Sequence, residues 1–455
     1  MKMTRWWKSM CWPAVVLSGI LLAAALAGCG GSAVTGDGTT TVKVTIGGGG
    51  SAAAPAAASS RATPRPMGAA IPATVTAIRF TISGAGIADI VQTVPVTGAT
   101  MTVTLQVPSG PGRTILVEAL DSDGVSRFRG DTVIDAAGVA LSITIGMAVD
   151  PSNPALLTWN IVATTLSTSG YLGRVTQGDG IAIVGGTSGE LLSSTDGQNW
   201  TSLTSGTITQ NINALAFGDN TFLGTTATWN YSSSPAFCTN RFYKATSDDV
   251  SNWTAVGTIG AGFEITDLAF GGGTFVAVGG DNAFYSTDNG ATWNPGTISG
   301  VTYLADVAYG NGRFVAIGDW SDNLAVSTDG VHWTTISMGI GPDDALQRIG
   351  FGNGLFLATT SAGNAYTSPD GTAWLQRTQF FDLFSIESST YSVAPGGGGF
   401  MVVTSSGIFF TFDLGVTWTA EINPGGWVYD GAYMNGAFIA TGATGPGNVF
   451  RSGDL

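Results

Sequence analysis

The segment LAFGGGTFVAVGGDNAFYSTDNGATW, residues 268–293, decides the fold. Its first half places a glycine-rich turn between two apolar strands, and its second half ends in a short polar turn followed by tryptophan. The first half recurs clearly at 215–226, 307–319 and 349–360, and more weakly at 175–186, 392–405 and 431–442. An internal repeat of this kind predicts an array of similar structural units.

Seven tryptophans mark the second half of the repeat at an average spacing of about 43 residues, which matches a four-stranded propeller blade. They are Trp159, Trp200, Trp253, Trp293, Trp333, Trp374 and Trp418. An incomplete copy lies at 451–455, and the half that it lacks matches LTWN at 157–160. We therefore expect an all-β fold, a seven-bladed β-propeller whose last blade is closed by an N-terminal outer strand. Such closure removes exposed sheet edges.

The second half of the repeat resembles the Asp-box, or BNR repeat, S/T-x-D-x-G-x-T-W. The copy at 286–293 fits in full, whereas the copy that contains Asp249 lacks the glycine. In such a turn the hydroxyl and carboxylate accept bonds from backbone amides, and glycine supplies a positive φ. We interpret the box aspartates as structural rather than as calcium ligands. They are Asp196, Asp249, Asp288, Asp329, Asp370, Asp413 and Asp454.

The boxes resemble those of sialidases, xyloglucanases, sortilin-type receptors and photosystem II assembly factors. The blade count and the short repeat units are most similar to the assembly-factor family, which implies a binding or assembly role. The R-I-P motif that marks sialidases is absent from the sequence. Residues 151–455 contain 7 Lys and Arg against 23 Asp and Glu, so the basic surface of the assembly factors is not evident either.

Residues 1–28 predict a lipoprotein signal peptide. Lys2, Arg5 and Lys8 precede an apolar run at 13–28 that is short for a membrane span. The run ends in LAGC at 26–29, which resembles the bacterial lipobox and implies cleavage before Cys29 and lipidation of that residue. Gly30 stands where an Asp in that family favours inner-membrane retention. We therefore expect a cell-envelope lipoprotein of the outer membrane, facing the periplasm or the exterior.

Two regions separate the signal peptide from the predicted propeller at 151–455. Residues 29–73 are rich in Gly, Ala, Ser, Thr and Pro and predict a flexible tether that follows the lipidated cysteine. Within it, TTTVKVTI at 39–46 is expected to form one isolated strand. Residues 74–150 alternate between polar and apolar side chains, which predicts a small β-sandwich. This sandwich resembles immunoglobulin-like or transthyretin-like modules.

The composition excludes several classes of function. The 455 residues include 67 Gly, only 11% are charged, and the formal net charge is −14. This acidity argues against nucleic acid as a partner, because neutralising phosphates requires clustered Lys and Arg. One His and three Cys leave little for a metal site or a disulfide scaffold. We predict no metal and no cofactor, and we expect Cys238 to be a small buried or loop residue.

When the seven repeats are aligned, one residue lies just before each inner strand. These seven residues, here called the column, should surround the mouth of the central channel. Its polar members could bind a polar ligand or a loop of a partner, or they could form a solvated ring of mutual ion pairs. They are Arg174, Asp267, Asp306, Arg348 and Asp430, and the remaining positions of the column hold Ala214 and Val393.

Aromatic residues in the variable loops form a second candidate surface. Flat rings provide contact area for protein or carbohydrate at a small entropic cost, although they could equally pack the loops down. The candidates are Trp229, Tyr231, Trp320 and Trp427.

These observations favour a non-catalytic binding or assembly protein, displayed from a membrane by a lipid anchor, with a protein or glycan partner. A glycan-active hydrolase using Asp267, Asp306 and Asp430 is the alternative, because inverting glycosidases need two carboxylates about 6.5–9.5 Å apart. A structural surface component is the third possibility.

Overall fold

The computed structural model describes residues 39–46, 71, 75–98, 100–138, 140–144, 148–149, 158–164, 170–203, 207–232, 235–319, 321–341, 344–380, 389–419, 422–443 and 447–453. The predicted signal peptide, Cys29, Trp320 and Asp454 lie outside these residues. Strands and turns make up nearly all of the described chain, and its one helical element is a 3-10 turn at Thr187–Gly189. The predicted all-β class is confirmed.

The N-terminal part of the described chain forms a β-sandwich. One sheet has the strand order β3-β2-β5-β6-β8 and the other has the order β4-β1-β7. The strands are β1 Thr39–Ile46, β2 Ala77–Ser83, β3 Ile90–Pro95, β4 Met101–Pro108, β5 Gly110–Leu120, β6 Ser126–Ala136, β7 Leu141–Thr144 and β8 Ala148–Val149. Inward side chains from both sheets, such as Val44, Phe80 and Val117, are fully buried in one core.

Strand β1 corrects the predicted boundary of the tether, because it belongs to the sandwich and is not isolated. It pairs antiparallel with β4 along its whole length and parallel with β7. Val42, Val44 and Ile46 alternate with polar residues and are fully buried, which a lone strand could not achieve. The sequence pattern identified the strand but not its partners, since both lie beyond a stretch of low complexity.

Seven antiparallel sheets follow, and in the first six the strands run in sequence order from the inside outwards. The first contains β10 Leu172–Gly178, β11 Ile181–Gly186, β12 Leu191–Ser194 and β13 Thr201–Ser202, and is preceded in the chain by β9 Trp159–Thr164. The second contains β14 Ile212–Gly218, β15 Thr221–Asn230, β16 Phe237–Thr246 and β17 Asp249–Ala261. The third contains β18 Asp267–Gly271, β19 Thr274–Gly279, β20 Asn282–Ser286 and β21 Asn294–Pro295.

The fourth sheet contains β22 Leu304–Gly310, β23 Arg313–Gly318, β24 Asn323–Ser327 and β25 Thr334–Ser337. The fifth contains β26 Leu346–Gly352, β27 Leu355–Thr360, β28 Ala365–Ser368 and β29 Leu375–Gln376. The sixth has three described strands, β30 Thr390–Gly396, β31 Gly399–Thr404 and β32 Ile408–Thr411. The seventh contains β33 Trp427–Met434, β34 Ala437–Ala443 and β35 Gly447–Ser452.

The seven sheets close into a ring and form a β-propeller. The inner strands of consecutive sheets contact one another, and β10 contacts β33 to complete the circle. Strand β9 pairs antiparallel with β35 and so forms the outer strand of the seventh sheet. Strand direction then divides the loops between two faces. The turns after the first and third strands of each blade lie on one face, here called the turn face, and the other connections lie on the opposite mouth face.

Tight two-residue turns join the inner strand of each blade to the next strand. Both turn residues have positive φ in all seven blades, as in type I′ turns, whose twist matches that of the flanking strands. In the fourth blade they are Asn311, with φ of 48°, and Gly312, with φ of 77°.

In six of the seven blades, the inner strand ends in a glycine that is needed for packing rather than for the turn. Gly271, Gly310 and Gly352 end the inner strands, and none has positive φ. A Cβ on Gly310 would lie 2.1 Å from the ring of Phe351 in the next blade. The same approach recurs around the propeller, at Gly178 with Phe217, Gly218 with Phe270, Gly271 with Tyr309, Gly352 with Pro395 and Gly396 with Tyr433. These glycines therefore provide space for the neighbouring blade.

Replacing Gly310 with Ala should lower the free energy of unfolding by about 3 kcal/mol, because the added methyl overlaps the Phe351 ring. Chemical denaturation of the full chain measures this change. Gly262→Ala is the matched control, since that glycine lacks positive φ and nothing lies within 4 Å of its added Cβ. Equal effects of the two substitutions would contradict this account of the blade contact.

Candidate functional site

The mouth of the channel is shaped by irregularities in the inner strands. In six of the seven, one residue near the start of the strand is skipped in the pairing, as in a β-bulge. The skipped residues are Gly173, Asn213, Ala305, Gln347, Tyr391 and Tyr429. A bulge leaves backbone groups without ladder partners and re-aims the neighbouring side chains. The column residues Arg174, Ala214, Asp306, Arg348 and Asp430 follow directly after these positions, whereas Asp267 begins the one inner strand that has no bulge.

Two arginines of the column bind the backbone carbonyls that the bulges release. Arg174 Nε donates to the carbonyl of Asn213 in the next blade, and its Nη1 donates to Gly173 O. Arg348 repeats the arrangement, with Nε donating to Tyr391 O at 2.9 Å and Nη1 donating to Gln347 O. Each guanidinium thus connects two consecutive inner strands.

Three aspartates of the column accept bonds from backbone amides of the next blade. Asp267 accepts from Val307 N at 3.0 Å, and Asp306 accepts from Ile349 N at 2.9 Å. Asp430 of the seventh blade accepts from Val175 N of the first at 2.8 Å, which ties the ends of the ring together.

The column is therefore a ring of side-chain-to-backbone bonds between blades. The expected alternative of mutual ion pairs is not found, since no two of these five described side chains form one. Ala214 offers no polar group to the third blade, and at Val393 the preceding Ser392 supplies a bond to Asp430. A bulged backbone requires such partners, because unpaired buried amides and carbonyls are costly.

Asp267 and Asp306 are neighbours, because the amide of Val307 donates to both carboxyl groups, at 3.0 Å and 2.9 Å. Both residues are partly buried and line the channel mouth. Burial raises the pKa of Asp267 well above its usual range, and the neighbouring charge and hydrogen bond of Asp306 raise it further. The folded protein therefore favours the protonated form of Asp267.

Burial also raises the pKa of Asp430, but here several groups oppose the shift. The positive charge of Arg174, the Ser392 hydroxyl and the amides of Val175 and Gly431 all favour the ionised form. The two carboxyl sites at the mouth therefore differ: one is a pair of acids, and the other is an acid beside an arginine.

The column encloses a cavity of about 300 Å³ together with Thr266, Asp319 and Tyr391. The structure thus brings all five predicted polar column residues to one cavity. The hydrolase alternative stays a prediction, and its three aspartates, Asp267, Asp306 and Asp430, all line this cavity.

The aromatic candidates lie on the same face as the cavity. Trp229 and Tyr231 stack at 5.8 Å between ring centroids, and Tyr231 is 77% exposed. Trp427 is 62% exposed at the start of β33. Tyr171, Tyr391 and Tyr429 form a further aromatic cluster from three blades beside the mouth.

Several residues of this face were missed by sequence reasoning. Asn213 and Glu264 are hydrogen-bonded to each other at 3.2 Å, and Glu264 accepts a bond from Trp229 Nε1. Asp281 accepts from the amide of Tyr303, whose side chain is 69% exposed. These residues occupy connections that do not repeat between blades, so the repeat could not mark them.

The box turns lie on the turn face, and their polar side chains are hydrogen-bonded within the turn itself. In five of them a Ser or Thr hydroxyl accepts from the amide of the glycine. The aspartate accepts from backbone amides that lie one or two residues after that glycine. These are the boxes of Asp196, Asp288, Asp329, Asp370 and Asp413. Such bonds lower the pKa of Asp370 to about 2 and favour its ionised form.

The copy at Asp249 departs from this pattern. Its carboxylate bonds only to Ser251, and a tight turn leads straight into the 13-residue strand β17. Without the glycine the box loop does not form, and Trp253 becomes a core residue with 2% exposure. Assigning Asp249 to a box was therefore wrong.

Among the described residues, no group of three or more His, Cys, Asp and Glu is placed to hold a metal ion. The described part of the chain contains no helix that is both long and apolar enough to cross a membrane.

No protein-family profile matches the chain, and no curated protein matches it. Its fold is similar to that of solved propellers. A catalytically inactive virginiamycin B lyase from Staphylococcus aureus with quinupristin aligns at 8% identity and a TM-score of 0.52, over 66% of this chain and 99% of the lyase. A streptogramin B lyase aligns at 10% identity and a TM-score of 0.51, over 66% and 98%.

YCF48 bound to a D1 peptide aligns at 13% identity and a TM-score of 0.48, over 66% of this chain and 95% of the other. The likeness to the two lyases, at such low identity, establishes the β-propeller fold and nothing of the chemistry.

The carboxyl pair predicts a loss of stability as pH rises. The folded state holds a proton on Asp267 that the unfolded chain releases near pH 4, so the stability that it provides is lost as pH rises towards the raised pKa. Asp267→Asn should flatten this decline and be more stable relative to the native chain at pH 8 than at pH 5. Thermal unfolding across that range measures the difference.

Asp370→Asn is the control with the opposite sign. Because the pKa of Asp370 is lowered to about 2, its contribution is present at neutral pH and is lost only as pH falls through the range from about 4 to 2. A steeper decline towards pH 8 in Asp267→Asn than in the native chain would contradict the raised pKa of Asp267.

Proposed function

We propose that this protein is a non-catalytic binding or assembly protein that holds a protein partner on the mouth face of its propeller. One observation carries the proposal. The charged side chains at the cavity are committed to bonds between blades, whereas large aromatic side chains on the same face remain open to solvent.

The contrast between the two faces supports this assignment. On the turn face, the box tryptophans Trp200, Trp293, Trp333 and Trp374 donate their indole N–H to the glycine carbonyl of their own turns. On the mouth face, Tyr231 and Trp427 expose more than half of their surface. Exposed aromatic residues are enriched where proteins bind one another.

The proposal includes display from a bacterial membrane. A signal peptide at 1–28, lipidation of Cys29 and an outer-membrane location would place the binding face in the cell envelope. A glycan partner is the competing possibility for the same aromatic residues.

A photo-crosslinking amino acid at position 231 should form covalent adducts with a distinct partner in living cells. The matched control is position 198, because Gln198 is also exposed but lies on the turn face. Immunoblotting of the full chain after irradiation reveals the adducts. Adducts of equal yield from both positions, or none from position 231, would contradict a protein-binding mouth face.

Cys29→Ala should release the protein from the membrane fraction, because removal of the acyl anchor leaves no strong membrane attachment. Fractionation of cells that express the native chain and the variant measures this. The anchor proposal fails if the variant stays with the membranes.

A further inference from the structure

The β15–β16 hairpin rises above the mouth face as an arm. Both of its strands have 10 residues, whereas the second strands of the other blades have six or seven. Four extra residues at about 3.3 Å each extend the hairpin by about 13 Å. Trp229 and Tyr231 stand near its tip, and their rings stack almost parallel at 14°.

The arm is connected to the next blade by a hydrogen-bonded glutamate. Glu264 accepts from Trp229 Nε1 with one carboxylate oxygen and from Asn213 Nδ2 with the other. Its backbone lies against Gly279, close to the turn that carries Asp281. Asp281 in turn accepts from the amide of Tyr303 at 2.9 Å. These residues lie on neighbouring connections of the mouth face and are here called the rim strip: Tyr231, Trp229, Glu264, Asp281 and Tyr303.

Tyr303 occupies an unfavourable backbone conformation. Its φ is 52°, in the left-handed region that bulky residues rarely adopt. Its amide donates to Asp281 and its carbonyl accepts from Asp319 N at 2.8 Å, so bonds to two blades hold it there. The result is a ring that is 69% exposed rather than packed. Strain that presents a side chain to solvent is typical of a recognition site.

The charges of the rim strip are not compensated. Among the described residues, neither Glu264 nor Asp281 takes part in any of the three ion pairs. Two neighbouring negative charges, Glu264 and Asp281, thus lie between aromatic residues, with Trp229 and Tyr231 on one side and Tyr303 on the other. Aromatic faces and carboxylates both attract ammonium and guanidinium groups.

Resting on the proposed binding role of the mouth face, we infer that the rim strip recognises a cationic segment of the protein partner, with Lys or Arg side chains seated between the rings and carboxylates. Charge complementarity argues for this occupant, because the propeller region carries 23 acidic residues against 7 Lys and Arg.

The test uses the full chain in a nonionic detergent and three fluorescent probes. They are a short Lys/Arg–Gly–Ser peptide, its Glu analogue of equal length, and a neutral oligosaccharide. We expect the cationic peptide to bind, with weaker binding at high salt, and the other two probes not to bind. Glu264→Gln removes one charge but keeps the shape of the side chain, and it should weaken the affinity for the cationic peptide about tenfold.

Two further variants separate recognition from folding and from general acidity. Tyr303→Gly relieves the positive φ, so the melting temperature should not fall while the affinity for the peptide falls about tenfold. Asp219→Asn removes one exposed charge on the turn face at a position with φ of 48° that Asn tolerates, and the affinity should not change.

If Asp219→Asn weakened the affinity for the cationic peptide as much as Glu264→Gln does, the inference would be overturned. Binding would then reflect nonspecific attraction to an acidic protein. Binding of the oligosaccharide that depends on Tyr303 would overturn it in favour of a glycan. If no probe binds while position 231 still crosslinks a partner, the inference of a cationic segment is wrong, but the proposed binding role remains. If position 231 yields no adduct, the binding role itself fails.

Discussion

The propeller depends on the close contact between a glycine at the end of one inner strand and a ring in the next blade. A Cβ on any of these six glycines would lie between 1.8 and 2.4 Å from the neighbouring side chain. The ring also packs within its own blade, as Tyr309 does on Phe314 at 4.7 Å. Because each ring fills a gap in the preceding blade, the contact sets how closely neighbouring blades approach at the turn face.

At the opposite end of the same strands, hydrogen bonds replace hydrophobic contact. Bulges expose carbonyls and amides at the mouth, and the Asp and Arg column binds those of the adjacent blade. The inner strands of neighbouring blades are thus held together by side-chain packing at the turn face and by hydrogen bonds at the mouth face. Residues that looked available for chemistry are therefore needed for assembly, and recognition shifts outward to the loops.

Much of this fold could be predicted from sequence because its constraints are local and recur. A few neighbouring residues determine the positive φ at Asn311–Gly312, and the same is true of the box turns. Constraints between distant segments were harder to predict. Gly310 belongs to a segment that the repeat predicts as a glycine-rich turn, and its contact with Phe351 is not visible there because Phe351 lies in the next repeat. Strand β1 was placed in the tether because its partners follow a low-complexity segment. The column was located correctly, but only the bulges explain what its side chains bind. The rim strip was missed because it occurs once.

The closure of the ring has a mechanical consequence. At the junction of the seventh and first blades, Met434 and Gln177 stand in place of the glycine and the ring found elsewhere. This junction relies instead on Asp430, on the Asn435 amide bonded to Thr195 O, and on the pairing of β9 with β35. Strand β9 is the first propeller strand of the chain, so tension along the segment that precedes it enters at this junction. A pull from that side would load the hydrogen bonds between β9 and β35 before those of any other strand pair in the propeller.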